Sequence, residues 1–480
     1  MRFLLSLSIL LALGLGACGD DDGTTPVDMA VATDAETPTD ADTAETVAYA
    51  FESRFEPGTS SVSYGGQTLR HLLVEDMKIF IGQLSGLVDG ASGSFDEPAE
   101  VESALRFFYE FDASGEGEEI RFSTTPPLAV STYGELASGR SLVAKLAGQD
   151  GRDHAMWNDG DFVGWSDETL GGGESPAALV DALFAALAEN AFLRSEGTQP
   201  TGPDGEELPV YVTADGLDLQ QMIQKFLLMA VNFSQGTDDY LDEGIEGANT
   251  QSEGDPYTGL EHAWDEGFGY FGAARDYDRY TDDEIAGAGG RDDWQVHHDS
   301  DGDGRIDPTA EVNFGASTNA AKRDRGATSD LDLTGQAFDA FVGGRAVLAN
   351  AGDELTAEER TALEGFRDDA VQAWEAAIGA TVIHYVNEVL ADMDAKEAGA
   401  DYSYLDHAKH FSELKGFALG LQFNPRSPLG DADFAAFHAA VGDRPALDVA
   451  TFTEYRAALT TARDLLAGAY GFSAADAEAF

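Results

Sequence analysis

Cysteine is almost absent from this chain. Cys18 is the only cysteine among 480 residues, and it lies close to the N-terminus. A disulfide within the chain needs two cysteines, and zinc fingers and iron–sulfur clusters need several thiolates. The count therefore excludes all three, and it excludes thiol catalysis in the folded part. The fold must be stabilised by its core, and the chain is long enough to build a large one.

Basic residues are also scarce. The chain has 28 Lys and Arg against 88 Asp and Glu, which gives a formal net charge of −60. Such a surface repels nucleic acid and anionic membranes and attracts cations. An acidic excess of this size is typical of adaptation to salty surroundings, where screening shortens the reach of self-repulsion. The composition predicts no nucleic-acid partner, and any capture of metal ions would be a local property added to this adaptation.

The signatures of common catalytic sites are missing as well. The sequence has no HExxH zinc-protease helix, no G-x-S-x-G nucleophile elbow and no phosphate-binding P-loop. Nothing else specifies a nucleophile or a substrate. The sequence therefore favours a protein that is not an enzyme.

Residues 1–17 are typical of a bacterial lipoprotein signal peptide. Met1-Arg2 gives a positive start, residues 3–15 are apolar, and Leu15-Gly16-Ala17-Cys18 resembles a lipobox. This predicts cleavage before Cys18, lipidation of its thiol, and anchoring to a bacterial membrane in the periplasm or at the cell surface. The alternative is an ordinary signal peptide with a chance cysteine. No later run approaches the ~20 apolar residues that span a bilayer.

The rest of the chain predicts an acidic tether followed by one helical domain. Residues 18–46 are rich in Asp, Thr, Ala and Pro and have too few apolar residues to fold. Residues 47–480 contain many segments with apolar residues at helical spacing and no sustained strand alternation. We expect a mainly α fold, a helical bundle with long polar loop insertions. The expected helices are 67–87, 101–111, 176–193, 217–233, 258–274, 338–350, one opening at Thr356, 366–393, 404–421, one around Phe434, and 455–470; residues 116–173 and the polar insertion 282–328 are expected to be irregular.

An acidic loop near residues 292–314 matches the start of a calcium-binding loop. Aspartates alternate from position 299 to position 303, Gly304 follows for the turn, and Ile306 stands where such loops place an apolar anchor. The twelfth position of the loop, where an EF-hand has a bidentate glutamate, is Ala310. The glutamate, Glu311, stands one residue after that position. We expect a lone structural calcium loop rather than a sensor EF-hand, the alternative being a solvated acidic turn. The predicted calcium ligands are Asp299, Asp301, Asp303, Arg305, Asp307 and Glu311.

Three histidines stand three or four residues before a glutamate in segments expected to be helical. Residues at this spacing share one helix face, and helical bundles build metal sites from such groups. Imidazole and carboxylate together suit iron or zinc. If the pairs converge they predict a transition-metal site; if they do not, each pair is an ordinary hydrogen bond. The candidate ligands are His262, Asp265, Glu266, His384, Glu388, His410 and Glu413.

The segment from Gly259 to Gly272, GLEHAWDEGFGYFG, resembles a family of bacterial surface lipoproteins known as domain of unknown function 4856. Further matching stretches are 63–67, 344–346, 374–385 and 410–417, so the resemblance covers most of residues 47–424. The family implies no activity.

The same segment is more distantly similar to the imelysin family, whose members are α-helical, envelope-associated and linked to iron uptake. Their motif is G-x-H-x-x-E. Here Gly259 precedes His262 by three residues, and Asp265 stands where the family has Glu, with Glu266 next. The resemblance implies a metal-site role for His262 with Asp265 or Glu266.

These observations together predict an envelope lipoprotein that binds a transition metal, with iron favoured, and works with an envelope transport partner. Two alternatives stay open. One is a metal-dependent hydrolase that uses the same site. The other is a non-catalytic, partner-binding lipoprotein whose only ion is structural calcium.

Overall fold

Helices form the framework of this protein. The structure is a computed structural model, and it describes residues 47–89, 97–149 and 151–480. Within those ranges extended segments pair only at isolated β-bridges and no sheet is present, so the predicted mainly α fold is confirmed. The helices are α1 (Gly65–Asp89), α2 (Pro98–Tyr109), α3 (Pro176–Ser195), α4 (Leu219–Leu227), α5 (Gly259–Phe271), α6 (Asp282–Ile285), α7 (Gly315–Gly326), α8 (Leu333–Asn350), α9 (Ala357–Ala398), α10 (Tyr404–Leu419), α11 (Asp431–Val441), α12 (Phe452–Tyr470) and α13 (Ala474–Ala479).

Helix ends follow local sequence signals. The α5 and α9 helices both begin with a capping box, in which a threonine (Thr258 or Thr356) and the glutamate three residues later bond each other's backbone N–H groups. The α5 and α9 helices end at glycines in the left-handed conformation, Gly272 and Gly399. These signals explain why the predicted start of each helix lies within a few residues of the observed one.

The α9 helix is the centre of the fold. It runs for 42 residues, and α7, α8, α10 and α12 pack around it. Its stretch from Ala373 to Val386 is buried on every side. The helix expected to open at Thr356 and the helix expected at 366–393 are one continuous helix, because the sequence between them has no proline and only one glycine, Gly365.

One hydrophobic cluster extends from Tyr49 to Phe480 through most helices. Beyond Leu227, the end of α4, the chain stays helical to Tyr240 in two π-helical segments, Leu228–Phe233 and Gln235–Tyr240. This extra winding buries a series of polar residues, including Asp238 and Asp239, against α5. Such segments are frequent near functional sites.

The region 282–328 is not irregular throughout, contrary to expectation. It contains α6 and α7, and α7 is rich in polar residues that are buried, among them Lys322 and Arg323. The Asp324 carboxylate accepts hydrogen bonds from the backbone N–H groups of Leu333 (2.8 Å) and Thr334 (2.9 Å), at the start of α8. The missed helix is therefore stabilised by polar contacts with its neighbours and not by an apolar stripe.

Among the described residues, one helix, α3, is long and apolar enough to cross a membrane, with a mean hydropathy of 1.4 over its best window. The expectation that no later run reaches this length and composition was wrong. Leu179, Leu183, Phe184 and Leu187 of α3 have no exposed surface, and the helix packs against α2. Of the apolar stretch of α3, 44% is buried inside the fold.

The predicted signal peptide, Cys18 and the tether to residue 46 lie outside the described residues.

Candidate functional site

The acidic loop places three aspartates around one point. Oxygens of Asp299, Asp301 and Asp303 all lie within 4.8 Å of one another. The loop turns back on itself because the Asp299 carboxylate accepts hydrogen bonds from the backbone N–H groups of Gly302 (2.7 Å) and Gly304 (2.8 Å). Carboxylate oxygens gathered in this way, without a protein cation among them, are the ligand type that calcium prefers.

Hydrogen bonds keep the first aspartate of the loop ionised. Partial burial acts to raise the pKa of Asp299, but the backbone N–H groups of Gly304, Gly302 and Asp303 outweigh it and lower that pKa. Asp301 and Asp303 are exposed. The loop therefore presents the ionised Asp299 carboxylate together with two exposed carboxylates to solvent, as a cation site requires.

The loop is attached to the core by Ile306. This side chain has no exposed surface and packs with Leu72, Leu128 and Phe314 in a small second cluster. Backbone hydrogen bonds join Ala129 N–H to the Ile306 carbonyl (2.7 Å) and Ile306 N–H to the Pro127 carbonyl (3.0 Å). The apolar anchor predicted at this position is therefore present.

Glu311 closes the base of the loop. Its buried carboxylate accepts hydrogen bonds from the backbone N–H groups of Ser300 (2.7 Å) and Asp307 (2.8 Å) and from the Ser300 hydroxyl (2.7 Å). The group of clustered oxygens comprises Asp299, Asp301 and Asp303 and does not include Glu311 or Asp307. Asp307 instead accepts from Thr309 N–H at 2.8 Å, and the Arg305 guanidinium donates to the Leu128 carbonyl at 3.3 Å. Three of the six predicted calcium ligands are thus brought together by their side chains.

His262 and Glu266 of α5 face the N-terminal segment of the fold. Their nearest atoms, His262 Nε2 and Glu266 Oε2, are 3.8 Å apart. The imidazole stacks on Tyr257 and its Nδ1 lies 3.1 Å from the Ser63 carbonyl, while Glu266 accepts from Gln67 Nε2 at 2.8 Å. Each group is already held by other protein groups.

Asp265, the third predicted ligand on α5, belongs to a buried ion-pair cluster. Arg345 of α8 has no exposed surface and donates to Asp265 (2.8 Å) and Glu261 (2.9 Å). The Tyr49 hydroxyl also donates to Asp265, at 2.7 Å. Burial raises the pKa of Asp265, although Arg345 and Tyr49 act to lower it. The cluster joins the N-terminal segment to α5 and α8, which is a structural role.

The other two pairs lie on the adjacent helices α9 and α10, and Tyr385 separates their histidines. Its ring centroid is 5.0 Å from that of His384 and 6.5 Å from that of His410. His384 Nδ1 lies 2.9 Å from the Phe480 carbonyl, and His410 Nδ1 lies 2.8 Å from Asp392. Each imidazole is therefore held by a group that the spacing along the chain did not indicate.

Glu413 is fully buried beside a lysine. Lys225 Nζ lies 3.3 Å from its carboxylate, and both side chains are almost without exposed surface. Buried pairs of this kind neutralise each other's charge. In the described part of the chain, no group of three ligand atoms includes any of the paired histidines, so the convergence on which a shared transition-metal site depends is not found there.

Sequence patterns missed two charged clusters. His154 Nδ1 lies 2.8 Å from Asp238, a buried residue of the π-helical segment, and the residues are 84 positions apart. Lys415 Nζ, also buried, lies 2.8 Å from Asp443 and 3.1 Å from His438 Nδ1. Burial lowers the pKa of Lys415 to about 8. No local spacing signals either cluster, because each joins distant segments.

Residues 180–284 match the model of a family described as Domain of unknown function (DUF4856). The match supports the resemblance to that family, and it includes α5, the π-helical segments and Asp238. No curated protein and no solved structure matches the chain.

Proposed function

We propose that this protein is a non-catalytic binding protein of the bacterial envelope, lipid-anchored through Cys18, and that the acidic loop is a structural calcium site. The carboxylate cluster of Asp299, Asp301 and Asp303 is the observation that carries this proposal. Six of the seven predicted transition-metal ligands contact other protein groups, which a metal would have to displace: His262, Asp265, Glu266, His384, His410 and Glu413.

Calcium would neutralise the loop where it meets the core. The aspartates repel one another at short distance, so a divalent cation between them removes an unfavourable interaction and adds coordination. Ile306 and Glu311 fix the base of the same loop, so the ordered tip and the anchored base form one unit. The bound ion would thus stabilise the long segment between α6 and α7.

Titration calorimetry with calcium tests the proposal. We expect one saturable site per chain in the wild type and none in Asp301→Asn/Asp303→Asn. Asp292→Asn, which removes an exposed acid just before the loop, is the control and should bind as the wild type does. Absence of saturable calcium binding by the wild type would contradict the proposal, and so would equal binding by the loop variant.

The anchor is tested separately. Labelling of cells with a fatty-acid analogue should mark the wild type and not Cys18→Ala, and only the wild type should stay with the membrane fraction. Unlabelled wild-type protein that is secreted in soluble form would reject the lipoprotein part of the proposal and leave the calcium part intact.

Iron or zinc binding at His410, in an uptake role with a transport partner, is a second candidate. Its support is that Glu388, Glu413 and Asp392 all act electrostatically on His410. A metal there would have to displace Asp392 from the imidazole or Lys225 from Glu413. Elemental analysis of wild type and His410→Ala/Glu413→Ala decides between the two candidates.

A further inference from the structure

A small chamber lies where several elements of the fold meet. Its polar lining comes from His71 of α1, Asn232 of the first π-helical segment, Tyr270 of α5, Asn319 of α7 and Trp374 of α9. Apolar side chains form the rest of its wall. Its volume is about 10 Å³, which is close to the least that one water molecule needs.

The indole of Trp374 brings a hydrogen-bond donor to this chamber. Trp374 is only 1% exposed, and its Nε1–H has no hydrogen-bond partner among the described residues. Trp264, which has no exposed surface, donates its Nε1–H to the Phe341 carbonyl at 2.8 Å. Buried donors are almost always bonded, because desolvation of an unpaired one is unfavourable. The Trp374 indole therefore requires an acceptor from outside the described residues.

Asn232 brings an acceptor, and His71 fixes the orientation of its amide. His71 Nε2 lies 3.1 Å from the Gly269 carbonyl, which can only accept, so Nε2 carries the proton and Nδ1 is an acceptor. Burial lowers the pKa of His71 to about 4, which keeps the ring neutral. Asn232 Nδ2 donates to His71 Nδ1 at 3.0 Å. The Asn232 carbonyl oxygen, Oδ1, is buried and has no partner in the described part of the chain.

The Tyr270 hydroxyl is a third buried group of this kind. Tyr270 has no exposed surface, and no hydrogen bond to its hydroxyl is formed within the described ranges. Burial raises the pKa of this hydroxyl, which therefore keeps its proton. A protonated hydroxyl can both donate and accept, so it is compatible with either role of a bound molecule.

The ligand must be very small, uncharged and able to donate and accept at once. No charged side chain lines the chamber among the described residues, so an ion would be desolvated there without a counter-charge. An apolar molecule would leave the Trp374 donor and the Asn232 acceptor unsatisfied. The volume excludes organic molecules. Water meets all of these conditions.

We infer that this chamber is a binding site for one water molecule, which accepts from Trp374 Nε1–H and donates to Asn232 Oδ1. The Tyr270 hydroxyl offers a third hydrogen bond, and buried waters typically make about three. The water joins α9, the central helix, to the π-helical segment. The inference is independent of the calcium loop and of the lipid anchor.

NMR cross-relaxation between water and the indole protons of the purified protein, labelled with ¹⁵N-tryptophan, tests the site. We expect a cross-peak between water and Trp374 Nε1–H. We expect none for Trp264, which is equally buried but bonded to a carbonyl. Trp374→Phe and Trp264→Phe assign the two signals.

Two further variants separate the chamber water from other sources of the signal. Exchange through the Tyr270 hydroxyl would give a similar cross-peak, so the cross-peak should persist in Tyr270→Phe. Ala316→Val adds two methyl groups to a residue that lines the chamber, and it should abolish the cross-peak. Ala440→Val changes another partly buried alanine, outside the chamber, and should leave the cross-peak intact.

Circular dichroism checks that each variant is folded. A wild type without a water cross-peak at Trp374 would overturn the inference. Loss of the cross-peak in Tyr270→Phe would overturn it too, because the hydroxyl would then be its source. Persistence in Ala316→Val would place the water elsewhere and would equally reject this site.

Discussion

The acidic loop and helix α5 both carry closely spaced carboxylates, but different kinds of group bind those carboxylates in the two regions. In the loop, Asp299 accepts hydrogen bonds from backbone N–H groups, which contribute no net charge. In α5, Glu261 and Asp265 are bound by the guanidinium of Arg345. Spacing along the chain shows where carboxylates stand together, but the neutralising partner decides whether they are open to a metal.

The pKa directions express the same difference. Backbone hydrogen bonds lower the pKa of Asp299 in the loop. Burial raises the pKa of Asp265 in α5, and it raises that of Glu375 in α9 to about 7. Asp299 therefore keeps its charge without a counter-ion, whereas the helices hold carboxylates that need an arginine, a lysine or a proton.

The largest effect should come from breaking the α5 cluster. Arg345→Met leaves Asp265 and Glu261 buried without their cation, which should reduce the free energy of unfolding by about 3–5 kcal/mol. Denaturant unfolding measures it. Arg325→Met is the control, because Arg325 pairs with Asp283 at the surface and exposed pairs contribute about 0–1 kcal/mol.

Combining Arg345→Met with Asp265→Asn should recover part of the loss, since one unpaired charge is removed. A single variant as stable as wild type would show that the guanidinium is not what holds these carboxylates. The distinction between the two regions would then fail.

The next effect is pH-dependent. Glu375 is buried and accepts hydrogen bonds from the Ser427 hydroxyl (2.5 Å), the Tyr470 hydroxyl (2.8 Å) and the Asn424 amide. Burial raises its pKa from 4.5 to about 7, so the folded state binds more protons than the unfolded state between these values. The contribution of Glu375 is present below pH 4.5 and is lost as pH rises through 7, by up to about 3 kcal/mol.

We expect the stability of the wild type to rise on acidification from pH 7 to pH 5, and Glu375→Gln should flatten this rise. Glu364→Gln, an exposed change on the same helix, should leave that slope intact. Parallel pH profiles of the melting temperature for wild type and Glu375→Gln would contradict the assignment.

A smaller effect is expected from calcium. At a calcium concentration of 100 times the dissociation constant, a ligand that binds only the folded state stabilises it by about 2.7 kcal/mol. Calcium should raise the melting temperature of the wild type and of Asp292→Asn, and chelator should reverse the change. Asp301→Asn should respond little, and an equal response in Asp301→Asn would mean that the cation acts elsewhere on the acidic surface.

The smallest effect should follow His262→Gln. The His262 side chain is 34% exposed, and it contacts the Tyr257 ring, the Ser63 carbonyl and, at 3.8 Å, the Glu266 carboxylate. We expect a loss of less than about 1 kcal/mol, as for a single hydrogen bond near the surface. Loss of a bound transition metal in this variant would restore the metal-site role that the resemblance to imelysin implies.

Sequence reasoning succeeded where the signal is local. Capping boxes at Thr258 and Thr356 mark the starts of α5 and α9. The apolar periodicity within α3 and α9 likewise marks these segments as helices. The calcium-type spacing of the loop is local too, and Ile306 is buried as that spacing predicts.

Sequence reasoning failed where a partner comes from far along the chain. Arg345 stands 80 residues from Asp265, so no spacing shows that this carboxylate is neutralised. The sequence does place Asp392 beside a predicted ligand, because it lies one helical turn after Glu388 on the same face of α9. Asp392 could therefore have been considered as a partner of His410. The π-helical winding before Tyr240 shifts Asp238 toward His154, and the helical periodicity of the sequence gives no warning of it.

Elemental analysis tests the central claim most directly, with three proteins purified under identical conditions: the wild type, Asp299→Asn/Asp301→Asn/Asp303→Asn, and His410→Ala/Glu413→Ala. We predict one calcium per chain in the wild type and in the histidine variant, none in the loop variant, and no stoichiometric iron or zinc in any of them. Stoichiometric iron or zinc that survives loss of the loop aspartates and disappears with His410 and Glu413 would contradict this account.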